Sequence, residues 1–240
     1  MTGYQDVFKR YEKKYLLDRR QYAAIRRGLE GRMREDSYGL HTICNIYFDT
    51  EDFSIIRHSL DKPAYKEKLR LRSYGVPGAR DAVFMELKKK FDGVVYKRRI
   101  QMPLAEAYRY LLAGIYPAGD SQILREIDWF VQRNHPIPRA FIAYDRIALA
   151  GIDDPETRIT FDSSLRWRDT ALDLAAGDRG YQLQKPGTAL MEVKIPGVMP
   201  LWLSHLLAEH EVFPASFSKY GECYREHLFV KHPEGGNECA

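Results

Sequence analysis

The stretch KLRLRSY at residues 68–74 alternates charged and apolar side chains. Residues two apart lie on the same face of a β-strand. Lys68, Arg70 and Arg72 therefore share one face, and the leucines between them share the other. The pattern predicts a strand that buries its leucines in a core and presents cations on its second face.

A similar alternation recurs in six further segments, each with one face that carries charged side chains and a second face that is mainly apolar or aromatic, apart from single charged residues such as Lys13 and Arg98. The segments are YEKKYLL (11–17), VFMELKKK (83–90), VVYKRRI (94–100), AFIAYDRIALAG (140–151), TRITFDSSL (157–165) and ALMEVKI (189–195). HTICNIYFDT (41–50) predicts one more strand, which ends near Asp49. A solvated sheet face explains one charged strand without any function, but the repetition indicates a shared charged surface.

Amphipathic helices are predicted between these strands, because apolar residues recur at spacings of three and four. The predicted helices cover residues 18–33, 51–60, 104–112, 121–133, 200–210 and 218–229. Their apolar stripes are suited to covering the apolar faces of the strands.

Cations dominate the charged faces of the predicted strands. The cations are Lys14, Lys68, Arg70, Arg72, Lys88, Lys90, Lys97, Arg99, Arg146, Arg158 and Lys194, and the carboxylates are Glu12, Glu86, Asp162 and Glu192. Like charges about 4 Å apart repel strongly in a partly shielded site, so converging faces would need water or an anionic ligand between them. Charged inner faces and apolar outer faces predict an α+β fold in which an antiparallel β-barrel closes around a charged tunnel, with helices packed outside. Such a tunnel would bind a linear polyanion, and its carboxylates would be candidate ligands for Mg²⁺ or Mn²⁺.

The composition is that of an ordinary folded protein of 240 residues with a formal net charge of +4. No apolar run reaches the roughly 18 to 20 residues of a membrane helix, and no signal peptide is evident, so a cytoplasmic protein is expected. Three cysteines without paired spacing argue against a disulfide framework and a structural zinc site. We predict a single domain over residues 1–231 and a flexible tail at 232–240.

The ordered set of motifs resembles the triphosphate tunnel metalloenzymes of the CYTH-like superfamily, and within them the VTC-type polyphosphate polymerase domain. The motifs that carry the resemblance are FKRYEKKYLL, IYFDT, KLRLRSYG, FMELKKK, YKRRI, YDRIALAG, TRITFDSSL, LMEVKIPG and FPASFSKYGECY. The resemblance implies about eight antiparallel strands closed into a tunnel, with helices outside. It also implies Mn²⁺ or Mg²⁺ as cofactor, and transfer of the terminal phosphoryl group of a nucleoside triphosphate, ATP, to a growing polyphosphate chain.

The resemblance also implies roles for individual residues. The basic lining that acts on the triphosphate would be Lys14, Arg70, Arg72, Lys88, Arg99, Arg146 and Arg158. Further substrate contacts would come from Lys68, Lys90, Lys97, Tyr144, Lys194, Ser218 and Lys219. Glu192 matches the metal-binding glutamate of the family, and Glu12 and Glu86 are further candidate metal ligands. Arginines fork onto phosphate oxygens and lysines act as point charges, so these residue types suit a polyanion.

One departure from the motifs of related enzymes and two alternative functions bear on the predicted activity. Hydrolytic tunnel enzymes usually begin with Glu-x-Glu-x-Lys, whereas here Arg10 stands at the position of the first glutamate. This favours the polymerase pattern over two-metal hydrolysis. A tunnel triphosphatase and a non-catalytic polyanion-binding module are the alternatives. No nucleic acid partner is expected, any coupling to a membrane would need a separate membrane protein, and the oligomeric state is left open.

Overall fold

The computed structural model of the chain describes residues 11–92 and 94–229. Arg10 and the predicted tail at 232–240 lie outside the described residues. Within them, none of the helices combines the length and the apolar character needed to cross a membrane.

A large antiparallel sheet forms the centre of the fold. Its strands are β1 (Tyr11–Leu17), β2 (Met33–Glu35), β3 (His41–Asp49), β4 (Tyr65–Tyr74), β5 (Ala82–Phe91), β6 (Val94–Pro103), β7 (Ile137–Gly151), β8 (Arg158–Arg168), β9 (Tyr181–Gln182) and β10 (Ala189–Ile195). The hydrogen-bonded order is β1-β10-β8-β7-β3-β4-β5-β6, with β2 beside β7 and β9 beside β8. The predicted strands are therefore present.

Six α-helices accompany the described strands. They are α1 (Arg19–Gly28), α2 (Ser54–Leu60), α3 (Leu104–Ala113), α4 (Gln122–Asn134), α5 (Leu201–Glu209) and α6 (Lys219–Cys223). A π-helical turn at Tyr224–Leu228 continues α6, and a short 3₁₀ turn lies at Leu174–Ala176. Each predicted helix is present, so the mixed α+β character is confirmed.

The first helix is shorter than its pattern predicted. Asp18 caps it with a side-chain hydrogen bond to the backbone N–H of Gln21 over 2.7 Å. The helix ends at Gly28, and Gly31 has a φ of 73°, which lies outside the right-handed helical region. Met33, predicted as the last helical residue, instead begins β2 opposite Gly151.

The apolar faces of β4, β5 and β10 are buried as the alternation predicted, whereas Val94 and Tyr96 on β6 are exposed. On β4 and β5, Leu69, Leu71, Met85 and Leu87 are fully buried. In the part of the chain that contains β1 and β10, one core cluster contains Tyr15, Leu17, Ile25, Leu29, Ile159, Phe161, Met191, Val193, Ile195, Leu203 and Leu207. The charged faces of the same strands are therefore directed away from these cores.

The described chain divides into two compact units. The first consists of residues 11–43, 143–166 and 184–217, and the second of residues 44–142, 167–183 and 218–229. The ladder order begins at β1 and ends at β6, and within residues 11–92 and 94–229 no ladder joins these two strands. Ladder hydrogen bonds therefore do not close the sheet. The antiparallel α+β fold is confirmed, and closure into a barrel stays a prediction, as does a single domain over 1–231.

Candidate functional site

Three lysines stand side by side on the charged face of the second unit. Lys68 on β4 lies directly opposite Lys88 on β5, which lies opposite Lys97 on β6. Side chains of directly opposed residues begin about 5 Å apart, and like charges in this arrangement destabilise a sheet. Lys68 Nζ donates a hydrogen bond to Ser218 Oγ over 3.0 Å. This row concentrates positive charge that an anionic ligand would stabilise.

The neighbouring row places one carboxylate between two arginines. Glu86 on β5 lies opposite Arg70 on β4 and Arg99 on β6. Glu86 Oε2 is 2.7 Å from Arg70 Nη2 and 3.8 Å from Arg72 Nη1. Its Oε1 is 2.7 Å from Lys97 Nζ and 3.3 Å from Arg99 Nε. Four predicted site cations therefore surround a single carboxylate, which is only 1% exposed.

The charges in this group alter one another's protonation. Burial alone would raise the pKa of the Glu86 carboxyl, but Arg70, Arg72 and Lys97 hold that pKa well below its usual range. Burial lowers the pKa of the Lys97 ammonium to about 8, against the opposing effect of Glu86 and with a further lowering by Arg72 and Arg70. Glu86 is therefore ionised at neutral pH, and Lys97 is the cation most easily neutralised by a rise in pH.

Strand β3 contributes partners that the sequence analysis missed. Arg72 Nε donates to Asn45 Oδ1 over 2.9 Å, and Arg70 Nη1 donates to Tyr47 Oη over 3.3 Å. A signal for them was present, because the polar residues at 45, 47 and 49 alternate with apolar ones in HTICNIYFDT and so share one strand face. These contacts fix the two guanidinium groups from the side of β3.

Asp49 at the end of β3 connects this face to α2 and α6. Its Oδ2 accepts hydrogen bonds from Tyr220 Oη over 2.9 Å and from the backbone N–H of Ile56 over 3.0 Å. The Tyr220 ring stacks on that of Tyr47, with centroids 4.8 Å apart. Burial raises the pKa of the Asp49 carboxyl, while the Tyr220 hydroxyl and backbone N–H groups lower it. Tyr220 follows the predicted phosphate contacts at 218 and 219, so Asp49 anchors the segment that carries them.

A second charged cluster lies in the first unit, on β1 and β10. Lys14 lies opposite Glu192 and Glu12 lies opposite Lys194 in the β1–β10 ladder. Lys14 Nζ is 3.4 Å from Glu192 Oε1 and 3.7 Å from Glu12 Oε1, and it donates to the carbonyl of Phe217 over 3.0 Å. Lys14 therefore links the two carboxylates predicted to bind metal.

Arg146 on β7 completes this cluster. Its Nε and Nη2 donate to the two oxygens of Asp162 over 2.5 and 2.7 Å, which forms a bidentate pair. Arg146 Nη2 is also 3.5 Å from Glu192 Oε2, and the guanidinium lies 5.2 Å from the centroid of the Tyr144 ring. Burial lowers the pKa of Arg146, but Tyr144, Asp162 and Glu192 outweigh it and raise that pKa above its usual value. Tyr144 and Arg146 thus share a face, as predicted.

The carboxylates differ in their suitability for a metal ion. No group of three or more His, Cys, Asp or Glu side chains with metal-binding geometry occurs in residues 11–92 and 94–229. Glu192 and Glu12 both contact Lys14, and their carboxylate oxygens are of the ligand type that Mg²⁺ and Mn²⁺ prefer, with phosphate oxygens as further ligands. Each oxygen of Glu86 lies 2.7 Å from a cation, compared with 3.4 and 3.5 Å for the two oxygens of Glu192, so the closer contacts of Glu86 favour a role other than metal binding.

The structure groups most predicted site residues by unit. The second unit brings together Lys68, Arg70, Arg72, Glu86, Lys88, Lys97, Arg99 and Ser218. The first brings together Glu12, Lys14, Tyr144, Arg146, Arg158, Glu192 and Lys194. Lys90 lies one row beyond Lys88, opposite Lys66 and Val95, and Lys219 is buried at the start of α6. Their predicted roles toward substrate stay predictions.

Comparisons with solved structures identify related folds. The structure is similar to that of a candidate adenylate cyclase from Bacillus halodurans, with a TM-score of 0.55 and 13% identity over 90% of this chain and 96% of that chain. It is also similar to HpAC1 from Hippeastrum, a candidate adenylyl cyclase reported to have a dominant triphosphatase activity, with a TM-score of 0.51 and 14% identity over 89% of this chain and 94% of that chain. At these identities the likeness shows a shared fold.

Sequence comparison gives the family. A search of curated protein sequences finds no match. The family profile of the VTC domain matches residues 9–227, which is nearly the whole chain and includes eight of the nine motifs on which the resemblance rests in full, and the first motif from its second residue. The chain therefore belongs to the VTC domain family.

Proposed function

We propose that this protein is a metal-dependent polyphosphate polymerase, which transfers the terminal phosphoryl group of a nucleoside triphosphate, ATP, to a growing polyphosphate chain. The observation that carries the proposal is the row of Lys68, Lys88 and Lys97 across three adjacent strands. Like charges directly opposite one another repel, and a ligand that presents several negative charges at short spacing reduces that repulsion. A triphosphate and a polyphosphate both have this property.

Positioning and charge stabilisation would supply the catalysis. A terminal oxygen of the acceptor phosphate attacks the γ-phosphorus of the nucleotide, the bond to the β–γ bridging oxygen breaks, and the nucleoside diphosphate leaves. Arg70 and Arg99 would stabilise the negative charge of the phosphate oxygens from their positions beside Glu86, and Lys88 would act as a point charge. A divalent ion bound by Glu192 and Glu12 would offset charge on the phosphate oxygens.

Closure of the sheet into a charged tunnel is part of this proposal, since it would exclude water and favour polyphosphate as the acceptor. We also propose a cytoplasmic location, with any attachment to a membrane provided by a separate membrane protein. We do not propose nucleic acid as a binding partner.

A triphosphatase is the second candidate function. The Hippeastrum protein with the same fold is reported to have a dominant triphosphatase activity. The same cations would bind a triphosphate whether water or a phosphate chain is the acceptor. Analysis of the products formed from ATP separates the two: long phosphate chains support the polymerase, and orthophosphate without chains supports the triphosphatase.

A non-catalytic polyanion-binding module is the third candidate function that the basic strands suggest. Replacement of the proposed metal ligand distinguishes it from an enzyme. Glu192→Gln removes a negative charge, so a pure binding module would keep or gain affinity for polyphosphate. Neither the wild type nor the variant would then turn over ATP. A metal-dependent enzyme would lose its turnover in this variant. Binding of duplex DNA with steep salt dependence, without nucleotide turnover, would instead indicate a nucleic-acid-binding protein.

A further inference from the structure

Glu86 is surrounded by four cations of the predicted substrate site. We propose that Glu86 is a positioning residue, which keeps Arg70, Arg72, Lys97 and Arg99 assembled without substrate, and that Lys97 is the cation that leaves Glu86 to contact a phosphate oxygen. This inference deepens the proposed function, on which it rests for the identity of the anion.

The geometry around Glu86 supports the first part. Its carboxylate is almost fully buried, and each oxygen contacts two of the four cations at distances between 2.7 and 3.8 Å. Arg70 and Arg99 approach it from opposite neighbouring strands. Without a negative charge at this point, four cations would converge on one another in a partly buried site, which is strongly unfavourable.

Three of the four cations have additional contacts that hold them in place. Arg72 donates to Asn45 and Arg70 donates to Tyr47. The Arg99 guanidinium lies 3.5 Å from the centroid of the Phe84 ring, and its Nη2 donates to Tyr74 Oη over 3.1 Å. These contacts oppose a rearrangement of the arginine side chains on ligand binding.

Lys97 differs from the three arginines in exposure and in flexibility. Its side chain is 44% exposed, compared with 33% for Arg99, 21% for Arg70 and 7% for Arg72. Its ammonium is a compact charge on a flexible side chain and, unlike a guanidinium, has no planar hydrogen-bonding geometry to keep. It can therefore leave an oxygen of Glu86 and contact a phosphate oxygen instead. Lys97 also lies directly opposite Lys88, which places it beside the row of lysines.

A thermal unfolding experiment with a polyanion tests the positioning role. The full chain, Glu86→Gln and the control Glu126→Gln are unfolded with and without inorganic tripolyphosphate, in the absence of divalent metal. Glu126 contacts two cations, Lys89 and Arg98, on the opposite strand face. Without polyanion, we expect Glu86→Gln to unfold about 5 °C or more below the wild type, because its cations lack a counter-charge.

Tripolyphosphate should supply the missing charge. At saturation we expect the Tm of Glu86→Gln to return to within about 1 °C of the wild-type value with the same ligand, whereas any deficit of Glu126→Gln stays unchanged. A deficit of Glu86→Gln that persists with tripolyphosphate would show that Glu86 is only a structural residue. No deficit without ligand would also overturn the proposal.

Lys97→Met tests the second part and does not depend on the fold of the Glu86 variant. We expect the unfolding temperature without ligand to stay within about 1 °C of the wild type, and the affinity for tripolyphosphate, measured by calorimetry, to fall about tenfold or more. Unchanged affinity would contradict the proposed exchange. These are binding measurements, so a protein that meets them without making polyphosphate would overturn the proposed function and leave this inference intact.

Discussion

Lys14 Nζ lies 3.4 Å from Glu192 Oε1, and the two residues face each other across the β1–β10 ladder. The other oxygen of Glu192 is 3.5 Å from Arg146 Nη2. Contacts with two cations hold the carboxylate in one orientation, which is a property needed of a metal ligand that shares its ion with phosphate.

Replacement of Glu192 should therefore separate turnover from binding. We expect Glu192→Gln to lower metal-dependent turnover of ATP about 100-fold or more, because one of two proposed carboxylate ligands is lost. Affinity for tripolyphosphate without metal should be retained or increased, since a negative charge is removed. The control is Glu209→Gln, at an exposed position on α5. Wild-type turnover in Glu192→Gln would contradict the metal role.

The pair of Arg146 and Asp162 should contribute strongly to stability. Asp162 is fully buried and holds both guanidinium contacts, so Asp162→Asn leaves a buried cation with less counter-charge. We expect a loss of about 3 to 5 kcal/mol in the free energy of unfolding, measured by denaturant titration. The matched control is Asp120→Asn, which breaks the exposed pair between Asp120 and Arg125 and should have little effect. Equal effects of the two substitutions would refute the account of this pair.

Lys97 should make anion binding depend on pH. Because burial lowers the pKa of its ammonium to about 8, Lys97 is charged below that pH and becomes neutral above it. Glu86 opposes this lowering, and Arg70, Arg72 and Arg99 surround the same carboxylate. The affinity of the wild type for tripolyphosphate should therefore fall as the pH rises through 8, by up to about tenfold.

The control for this pH dependence is Lys97→Arg, since arginine stays charged throughout the range. Changes in the protonation of tripolyphosphate with pH affect both proteins equally. The difference between the two affinities therefore reports the charge of Lys97. We expect the two affinities to diverge above pH 8 and to run in parallel below pH 7. Parallel curves across the whole range would show that Lys97 does not titrate there.

The hydrogen bond between Tyr220 and Asp49 should stabilise the segment that carries Ser218 and Lys219. Tyr220→Phe leaves a buried carboxylate with one partner fewer, and we expect a loss of about 1 to 3 kcal/mol in the free energy of unfolding. Tyr38→Phe, at a side chain that is 76% exposed, is the control and should change little. If the two variants are equally stable, Asp49 does not anchor this segment.

Alternation in the sequence was sufficient to predict the strand faces. The buried leucines of β4 and the apolar residues of β5 and β10 follow from side chains two apart sharing a face. The helices were predicted by their spacing, but α1 ends at Gly28, and the left-handed conformation of Gly31 is incompatible with a helix that continues to Met33. Glycine permits such a turn but does not require it. The spacing of the apolar residues alone therefore predicted a helix that continues to Met33.

The sequence pattern did not predict the register of the paired strands. Alternation assigns Arg70, Glu86 and Arg99 to charged faces, but it does not say that they lie opposite one another, because a shift of two residues preserves every face. The surroundings of Glu86 depend on that register, so the sequence alone did not show that each of its oxygens lies 2.7 Å from a cation. Tyr47 was missed because a tyrosine in an apolar strand is most often part of the core.

The most direct test of the proposed function is the product formed from ATP. Purified wild-type protein and Glu192→Gln are incubated with ATP and Mn²⁺, with Mg²⁺ in parallel, and the products are separated on a polyacrylamide gel stained for polyphosphate. The account predicts phosphate chains from the wild type, dependent on the metal ion and absent from Glu192→Gln. Release of orthophosphate without any chains would contradict it.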